Sequence, residues 1–361
     1  MSDLRELGRA SYREARNLPD VVSERCVHTL IETASCQACV DVCPQEAWVL
    51  DDEQLGIDAN RCDGCNLCVA ACPEGAIQAD MPPALKSDGG HKVAMLACEP
   101  AGAAAGDEGV VPCLHAIGLN TVMALYRTEV DTLILCSSDC DNCARGSAPR
   151  LELCLERFNR LLRERKLPTM HHRHVDLDEW SRLADKGLAE SGGPSMSRRQ
   201  FFRRATQAAM AEHGHIRNPG AMSNRQFEPA GSIIPRRTDA QAVPFLPQID
   251  PGRCNACDAC ARLCPHGAIV VEKNDPPGSR TYLIDPDLCT GCGICEDVCD
   301  QQAVSVTSWA TPSLLRIPLN PDRCHGCGVT YYTPVGKPSP DHQCRICALT
   351  RNHRLLYQVL D

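Results

Sequence analysis

Aromatic residues are scarce in this chain, since Phe, Tyr and Trp make up only 4% of its 361 residues. This composition offers little material for one large core, and the length suits two or three domains. The longest apolar runs, such as Val93 to Cys98, are far too short to span a bilayer. A net charge of −9 argues against nucleic acid as a partner, because phosphate binding requires a basic face.

Motifs of common catalytic sites are missing as well. No G-x-G-x-x-G follows a strand, and there is no Walker loop, nucleophile elbow or H-E-x-x-H. The sequence therefore shows no place at which a substrate would be transformed, and we predict that the chain has no catalytic site of its own.

Cysteine, in contrast, is abundant, with 26 residues. Disulfide scaffolds are usually short secreted chains, whereas these cysteines fall in tight C-x2-C runs that favour metal centres. Residues 1–25 are charged throughout and contain no apolar stretch of a secretory leader. We therefore expect thiolate ligands and a cytoplasmic location, with association at the cytoplasmic face of a membrane as an open alternative.

The clearest motif is C-x2-C-x2-C-x3-C, which occurs complete three times. Three cysteines in a tight loop can bind three corners of a cubane, while the fourth lies on the following helix and faces the neighbouring cluster. This spacing differs from the two-knuckle spacing that zinc prefers. The three copies are Cys62, Cys65, Cys68 and Cys72; Cys254, Cys257, Cys260 and Cys264; and Cys289, Cys292, Cys295 and Cys299.

The first motif of the chain is irregular, because Thr33 stands where its first cysteine is expected. Cys36, Cys39 and Cys43 supply the last three positions, and Cys26, ten residues before Cys36, is the obvious substitute. The alternative is a three-iron cluster that lacks a fourth ligand, with Cys26 as a buried thiol.

The repeated pattern resembles that of bacterial [4Fe–4S] ferredoxins with two clusters. That resemblance implies four [4Fe–4S] clusters and crossed ligation, in which the last cysteine of each motif binds the cluster of the other. The implied ligand sets are Cys26, Cys36, Cys39 and Cys72; Cys62, Cys65, Cys68 and Cys43; Cys254, Cys257, Cys260 and Cys299; and Cys289, Cys292, Cys295 and Cys264.

Residues 91–180 are predicted to form a small α/β domain, since apolar strands alternate with amphipathic helices. Strand ends meet at the sheet edge where ligands usually bind, and Cys98 and Cys136 both end strands. The Val-Pro-Cys before a helix, the strand closing on Cys136 and the Asp-Cys after it resemble the small iron–sulfur (delta) subunit of methyl-viologen-reducing hydrogenases. The resemblance implies an additional cluster, [2Fe–2S] or [4Fe–4S]; a domain without a cluster is the alternative. The expected ligands are Cys98, Cys113, Cys136 and one of Cys140 and Cys143.

Two C-x2-C knuckles near the C-terminus match a four-cysteine zinc ribbon, in which a tetrahedral ion closes a domain too small to hold itself together. Zinc would be structural here, without an open position for chemistry, and a fifth cubane is the alternative. The ligands would be Cys324, Cys327, Cys344 and Cys347.

These motifs predict an α+β multidomain fold. Its predicted parts are an N-terminal two-cluster ferredoxin domain (1–80), a central α/β domain (91–180), a linker (181–250), a second two-cluster ferredoxin domain (251–310) and a zinc-ribbon-like element (318–361). Within the linker, MSRRQFFRRA at residues 196–205 resembles a twin-arginine export signal. No apolar stretch follows its arginines, so we interpret it as a degenerate relic rather than a working signal.

The chain as a whole resembles polyferredoxin-type subunits of multi-subunit oxidoreductases, such as those of molybdenum formate dehydrogenases or hydrogenases. The resemblance implies an electron-transfer subunit that relays single electrons to catalytic and other redox subunits. An accessory or assembly factor that docks on a metalloenzyme is the alternative.

Overall fold

The computed structural model describes residues 18–50, 55–88, 90–145, 150–185, 227–236, 241–273, 278–337 and 341–350. The chain divides into two compact units, the first comprising Met1–Val22, Ala38–Asp51 and Leu55–Phe227, and the second Ser23–Gln37, Asp52–Gln54 and Glu228–Asp361. The twin-arginine-like segment lies outside the described residues. Within the described ranges, no helix is both long enough and apolar enough to cross a membrane.

Short strands and helices alternate along the chain. The strands are β1 (Asp20–Val21), β2 (Trp48–Leu50), β3 (Leu55–Ile57), β4 (Ile77–Gln78), β5 (Ala84–Asp88), β6 (His91–Cys98), β7 (Val110–Val111), β8 (Val130–Cys136), β9 (His171–His174), β10 (Val243–Ile249), β11 (Ile269–Lys273), β12 (Arg280–Ile284), β13 (Val304–Ala310), β14 (Arg316–Arg323) and β15 (Thr330–Pro334). The helices are α1 (Val27–Leu30), α2 (Ala38–Asp41), α3 (Leu67–Ala71), α4 (Leu119–Arg127), α5 (Arg150–Glu164), α6 (Leu177–Asp185), α7 (Ala230–Ile233), α8 (Ala259–Arg262), α9 (Ile294–Asp297) and α10 (Arg345–Thr350).

The same set of strand pairs occurs once in each unit. In the first unit β1 pairs with β4 and β2 with β3, both antiparallel. In the second unit β10 pairs with β13 and β11 with β12, again antiparallel. In both units the strand before the first cysteine motif therefore pairs with the strand after the second, and the two motifs fold back on each other.

Strand β10 lies inside the segment predicted as a linker up to residue 250, so the structure differs from the sequence expectation here. Pro244 and Pro247 argued for irregular chain, but β10 and β13 form a two-stranded sheet, and an edge strand tolerates proline. Val243, Leu246 and Ile249 are buried and attach the strand to the core of its unit.

A five-stranded sheet follows the first cysteine motifs. Its main strand order is β5-β6-β8-β9, with β7 also paired to β6. Strands β6, β7, β8 and β9 run parallel, and β5 is antiparallel to β6. The second half of β6, Val93 to Cys98, is buried throughout, as expected for a parallel strand covered on both faces. Helix α5 buries Leu151, Leu155 and Phe158 at helical spacing.

Strand β14 extends the pair β11–β12 into a four-stranded antiparallel sheet of order β11-β12-β14-β15. Tyr282 of β12 packs with Ile317 and Leu319 of β14 in one buried cluster. The cysteine-containing C-terminal segment therefore shares a sheet with strands of the second pair of cluster motifs.

Candidate metal centres

The last cysteine of each of the four motifs is held by the same turn. Each sulfur accepts a hydrogen bond from the backbone amide four residues later. These bonds are Ala47 to Cys43 at 3.4 Å, and Ala76 to Cys72, Ala268 to Cys264 and Ala303 to Cys299, each at 3.2 Å. An amide aimed at sulfur stabilises a thiolate. Sequence reasoning missed this C-x3-A pattern, although all four motifs display it.

The same four alanines connect each motif to the strand that leads into the other one. Each alanine carbonyl accepts a backbone hydrogen bond from a residue four positions before a cysteine. The bonds are Val22 to Ala76 at 2.7 Å, and Asp58 to Ala47, Asp250 to Ala303 and Asp285 to Ala268, each at 2.8 Å. The cysteines that follow these four donors are Cys26, Cys62, Cys254 and Cys289. These bonds place the two motifs of each pair side by side, an arrangement that is compatible with crossed ligation.

In the second unit, two pockets are lined by the two crossed cysteine sets. One is lined by Cys254, Cys257, Cys260 and Cys299, and the other by Cys264, Cys289, Cys292 and Cys295. Burial raises the pKa of Cys260 to about 12, and the nearby thiols Cys254, Cys257 and Cys299 add to the effect. Burial also raises the pKa of Cys295, with Cys289, Cys292 and Cys264 as the strongest neighbouring contributors.

Tyr282 and Asp258 form a buried pair at the wall of the first of these pockets. The Tyr282 hydroxyl donates to Asp258 Oδ1 at 2.6 Å, and the Asp258 backbone N–H donates to the Tyr282 oxygen at 3.2 Å. Arg280 lies 3.6 Å from the other carboxylate oxygen. Burial, followed by the bond to Asp258, raises the pKa of Tyr282, so the phenol stays neutral and fixes the loop between Cys257 and Cys260.

In the first unit, Cys43 lies with the complete motif, as crossed ligation predicts. Burial raises the pKa of Cys65 to about 12, and Cys43 contributes to that shift. Burial raises the pKa of Cys68 as well, with Cys65, Cys62, Cys39 and Cys43 adding to it. Three buried thiols and the half-buried Cys43, with backbone amides aimed at the sulfurs of Cys43 and Cys65, form a donor set that fits a [4Fe–4S] cluster.

Cys26 and Cys36 belong to the second unit, in the segment Ser23–Gln37, whereas Cys39 and Cys72 belong to the first. His28 Nε2 donates to the Cys36 carbonyl oxygen at 2.8 Å, which closes the loop between the two cysteines. Ser35 donates its backbone N–H and its hydroxyl to Asp297 at 2.9 and 2.6 Å. This loop is therefore attached to helix α9 of the same unit.

Four cysteines of the central sheet form one group around its edge. Burial raises the pKa of Cys113 to about 11, and Cys98 and Cys143 add to that shift. Burial raises the pKa of Cys140, again with Cys98 and Cys143 adding. Cys98, Cys113, Cys140 and Cys143 thus lie close enough to serve as one ligand set.

Cys136, the fifth cysteine expected in this region, is also near Cys98, since burial raises its pKa and the Cys98 thiol adds to the shift. It is 1% exposed and packs in an apolar cluster with Ala97 and Trp180. Cys98 follows Ala97 along β6, so alternation along the strand directs Cys98 to the opposite face. Cys140 and Cys143 both lie near Cys98, and the choice of ligands among Cys136, Cys140 and Cys143 stays a prediction.

The C-terminal cysteines are the most compact group. The sulfurs of Cys324, Cys327, Cys344 and Cys347 all lie within 4.8 Å of one another, and this is the one such group among the described residues. The Cys327 and Cys344 sulfurs are 3.8 Å apart. A Zn–S bond of about 2.3 Å gives a tetrahedral S···S edge of about 3.8 Å. A cubane places four irons between its thiolates, so its ligands stand farther apart.

A backbone amide also favours the thiolate form, which binds cations, at one cysteine of this group. The Cys344 N–H donates to Cys324 Sγ at 3.2 Å. This bond is the main cause that lowers the pKa of Cys324, which favours the thiolate form of its sulfur. Beside the group, His342 bonds Asp322 at 2.7 Å and its ring stacks on that of His325.

Comparison with known proteins matches the two regions that contain the repeated cluster motifs to one domain family. Residues 34–77 and residues 253–303 each match the 4Fe-4S dicluster domain. The thiosulfate reductase electron transfer subunit PhsB of Salmonella typhi is 39% identical over 61 residues, which cover 15% of this chain and 32% of PhsB. The electron transport protein HydN of Escherichia coli (strain K12) is 37% identical over 51 residues, covering 14% of this chain and 29% of HydN.

The chain spans less than two fifths of the length of these curated relatives. Within the matched domains the assignment agrees with the repeated strand pairs and turns. The chain therefore carries two 4Fe-4S dicluster ferredoxin domains, with sites for four [4Fe–4S] clusters.

Proposed function

We propose that this chain is an electron-transfer subunit of a larger oxidoreductase complex, of the formate dehydrogenase or hydrogenase type. A bound [4Fe–4S] cluster takes up and returns one electron with little rearrangement. The protein supplies buried thiols, amide donors that offset negative charge, and a fixed order of sites along the chain. Names such as electron transfer subunit and electron transport protein among the relatives support this role.

The observation that carries the proposal is the fourfold alanine connection between motifs. It supports crossed ligation, and with it the four sets given by the sequence. The first of these includes Cys26 as its fourth ligand, because Cys26 follows Val22 by the same four residues as Cys62 follows Asp58. The other sets are centred on Cys65, Cys257 and Cys292.

We further propose an additional iron–sulfur centre on Cys98, Cys113, Cys140 and Cys143 and a structural zinc ion on the C-terminal quartet. The ion would hold β14, β15 and α10 together. The partners would be catalytic and redox subunits of the complex, and the thiolate ligands suit the cytoplasm, with membrane contact made through the complex.

Anaerobic purification of the full chain with its partners from the native host tests this inventory. We expect about sixteen irons from four cubanes, two to four more from the central site and one zinc. A catalytic partner should reduce all clusters reversibly. Stable iron loading without reduction by any co-purifying subunit, or only transient substoichiometric association, would instead support an assembly factor. Cys154→Ser, outside all proposed ligand sets, serves as the matched thiol control.

A further inference from the structure

Arg145 connects loops from two of the proposed centres. Its side chain is only 17% exposed, and its Nε lies 3.5 Å from Asp63 Oδ2. Its Nη1 lies 3.3 Å from Glu99 Oε2 and also donates to the carbonyl oxygen of Pro112. One guanidinium therefore binds three separate segments of the first unit.

Every partner of Arg145 is a sequence neighbour of a proposed cluster ligand. Asp63 lies inside the loop of the complete N-terminal motif, and its other carboxylate oxygen accepts the N–H of Cys65 at 3.1 Å. Glu99 directly follows a ligand of the central site, and Pro112 directly precedes another. The ligands concerned are Cys62 and Cys65 of one centre and Cys98 and Cys113 of the other.

The two centres also meet directly. Cys113 packs in the same buried cluster as Cys65 and Cys68. Gly118 approaches helix α3 so closely that an added Cβ would lie 2.8 Å from the Cα of Ala70.

We propose that Arg145 is a positioning residue for two neighbouring centres, the central cysteine centre and the cluster bound by Cys62, Cys65, Cys68 and Cys43. It holds the two centres together so that an electron passes between them in one step, and its charge favours the reduction of both. The inference rests on the proposed function, since it requires both centres to hold iron. A fixed cation beside two clusters lowers the energy of the added electron on either one. Without it, the carboxylates of Asp63 and Glu99 would face the two centres uncompensated.

Electrostatics at the site agree with this role. Burial acts to lower the pKa of Arg145, but the charges of Asp63 and Glu99 outweigh it and raise the pKa overall. Arg145 is therefore a permanent cation.

The test compares potentiometric titrations, monitored by EPR, of the anaerobically purified full chain and its variants. Arg145→Gln should lower the reduction equilibrium constants of both centres at least tenfold, which is about 59 mV for one electron, and should weaken the magnetic interaction between them. Asp63→Asn should raise the potential of the N-terminal cluster selectively, and Glu99→Gln that of the central centre. Arg160→Gln, which removes an exposed ion pair with Glu164, should change neither.

Arg145→Lys keeps the charge but loses the planar three-way contact. Arg145→Lys should leave the reduction potentials of both centres nearly unchanged while weakening the magnetic interaction between them. If Arg145→Gln fails to retain iron, the comparison of Arg145→Lys with the wild-type chain replaces it as the test. Wild-type behaviour of Arg145→Gln at either centre, with full iron content, would overturn the inference while leaving the proposed function intact. A wild-type chain without a reducible central cluster would overturn the inference and the proposed central centre, whereas the electron-transfer role of the four other clusters would stand.

Discussion

The backbone N–H of Val22 donates to the carbonyl oxygen of Ala76 across 2.7 Å. The equivalent bond in the second unit joins Asp250 to Ala303 at 2.8 Å, and the cysteine four residues beyond Asp250 begins a complete motif. By this equivalence we predict that Cys26 serves as a first ligand, although Thr33 interrupts the sequence motif.

Replacing Cys26 with serine should convert one cubane into a three-iron cluster. Loss of the fourth thiolate removes one iron from its corner, while Cys36, Cys39 and Cys72 retain the others. Iron analysis and the EPR signal of an oxidised three-iron cluster measure the change. A three-iron signal of equal size in the unmodified, anaerobically prepared protein would show instead that Cys26 is no ligand.

In the central sheet, Cys136→Ser should retain all iron, whereas Cys140→Ser and Cys143→Ser should each lose the two to four irons of the central cluster. The reason is that Cys136 faces the apolar core beside Trp180. Iron content per chain distinguishes the variants. The reverse result would restore Cys136 as the ligand.

Cys324→Ser should release zinc and leave the iron content unchanged. Removing a thiolate of a tetrahedral site abolishes most of its affinity, and no cluster motif shares this cysteine. Metal analysis after gel filtration measures both metals, with Cys154→Ser as the control. If iron is lost along with the C-terminal metal, the quartet holds a cubane.

Two motif turns carry strain that glycine would relieve, one at Glu46 with a φ of 46° and one at Gln302. Gln302 has a φ of 47°, whereas Gly267 has a φ of 67° at the equivalent position. Gln302→Gly should stabilise the folded chain by about 0.5–1 kcal/mol, because a left-handed conformation is costly for residues with a Cβ. The rate of cluster bleaching in guanidinium reports the change.

The matched control is Gly267→Ala. An added Cβ there would meet only Val270 at 3.9 Å, so the loss of stability in this variant reports the backbone conformation alone. It should bleach faster by a comparable factor. Equal rates for both variants and the parent chain would mean that these turns are unstrained.

Tyr282 should remain protonated at alkaline pH at which exposed tyrosines ionise. Its pKa is raised, first by burial and then by Asp258. A folded pKa above the unfolded value of about 10 means that its contribution to stability is complete below pH 10 and is lost as the pH rises further. Tyrosinate absorbance of Tyr282→Phe should therefore match the parent chain up to about pH 11. If the parent chain showed one more tyrosine ionising below about pH 11 than the variant does, this expectation would be wrong.

The sequence was sufficient for the three complete motifs because their spacing alone defines a cubane loop. It was less informative for β8, where the run Leu133 to Cys136 is apolar and buried on both faces and gives no alternation from which to read the side of Cys136. Strand β10 was missed because Pro244 and Pro247 indicate irregular chain, and only the pairing shows that the strand lies at an edge. The role of Arg145 depends on contacts with Asp63, Glu99 and Pro112, which are far apart in the sequence.

Strand β14 is hydrogen-bonded to β12 along one edge and to β15 along the other. Iron–sulfur centres are vulnerable to oxygen, whereas zinc has no redox chemistry of its own. With zinc bound as proposed, a metal ion stabilises one edge of this sheet, and oxidation of the iron–sulfur clusters does not remove that ion. A chain that has lost its clusters would thus keep an ordered template on which they can be rebuilt.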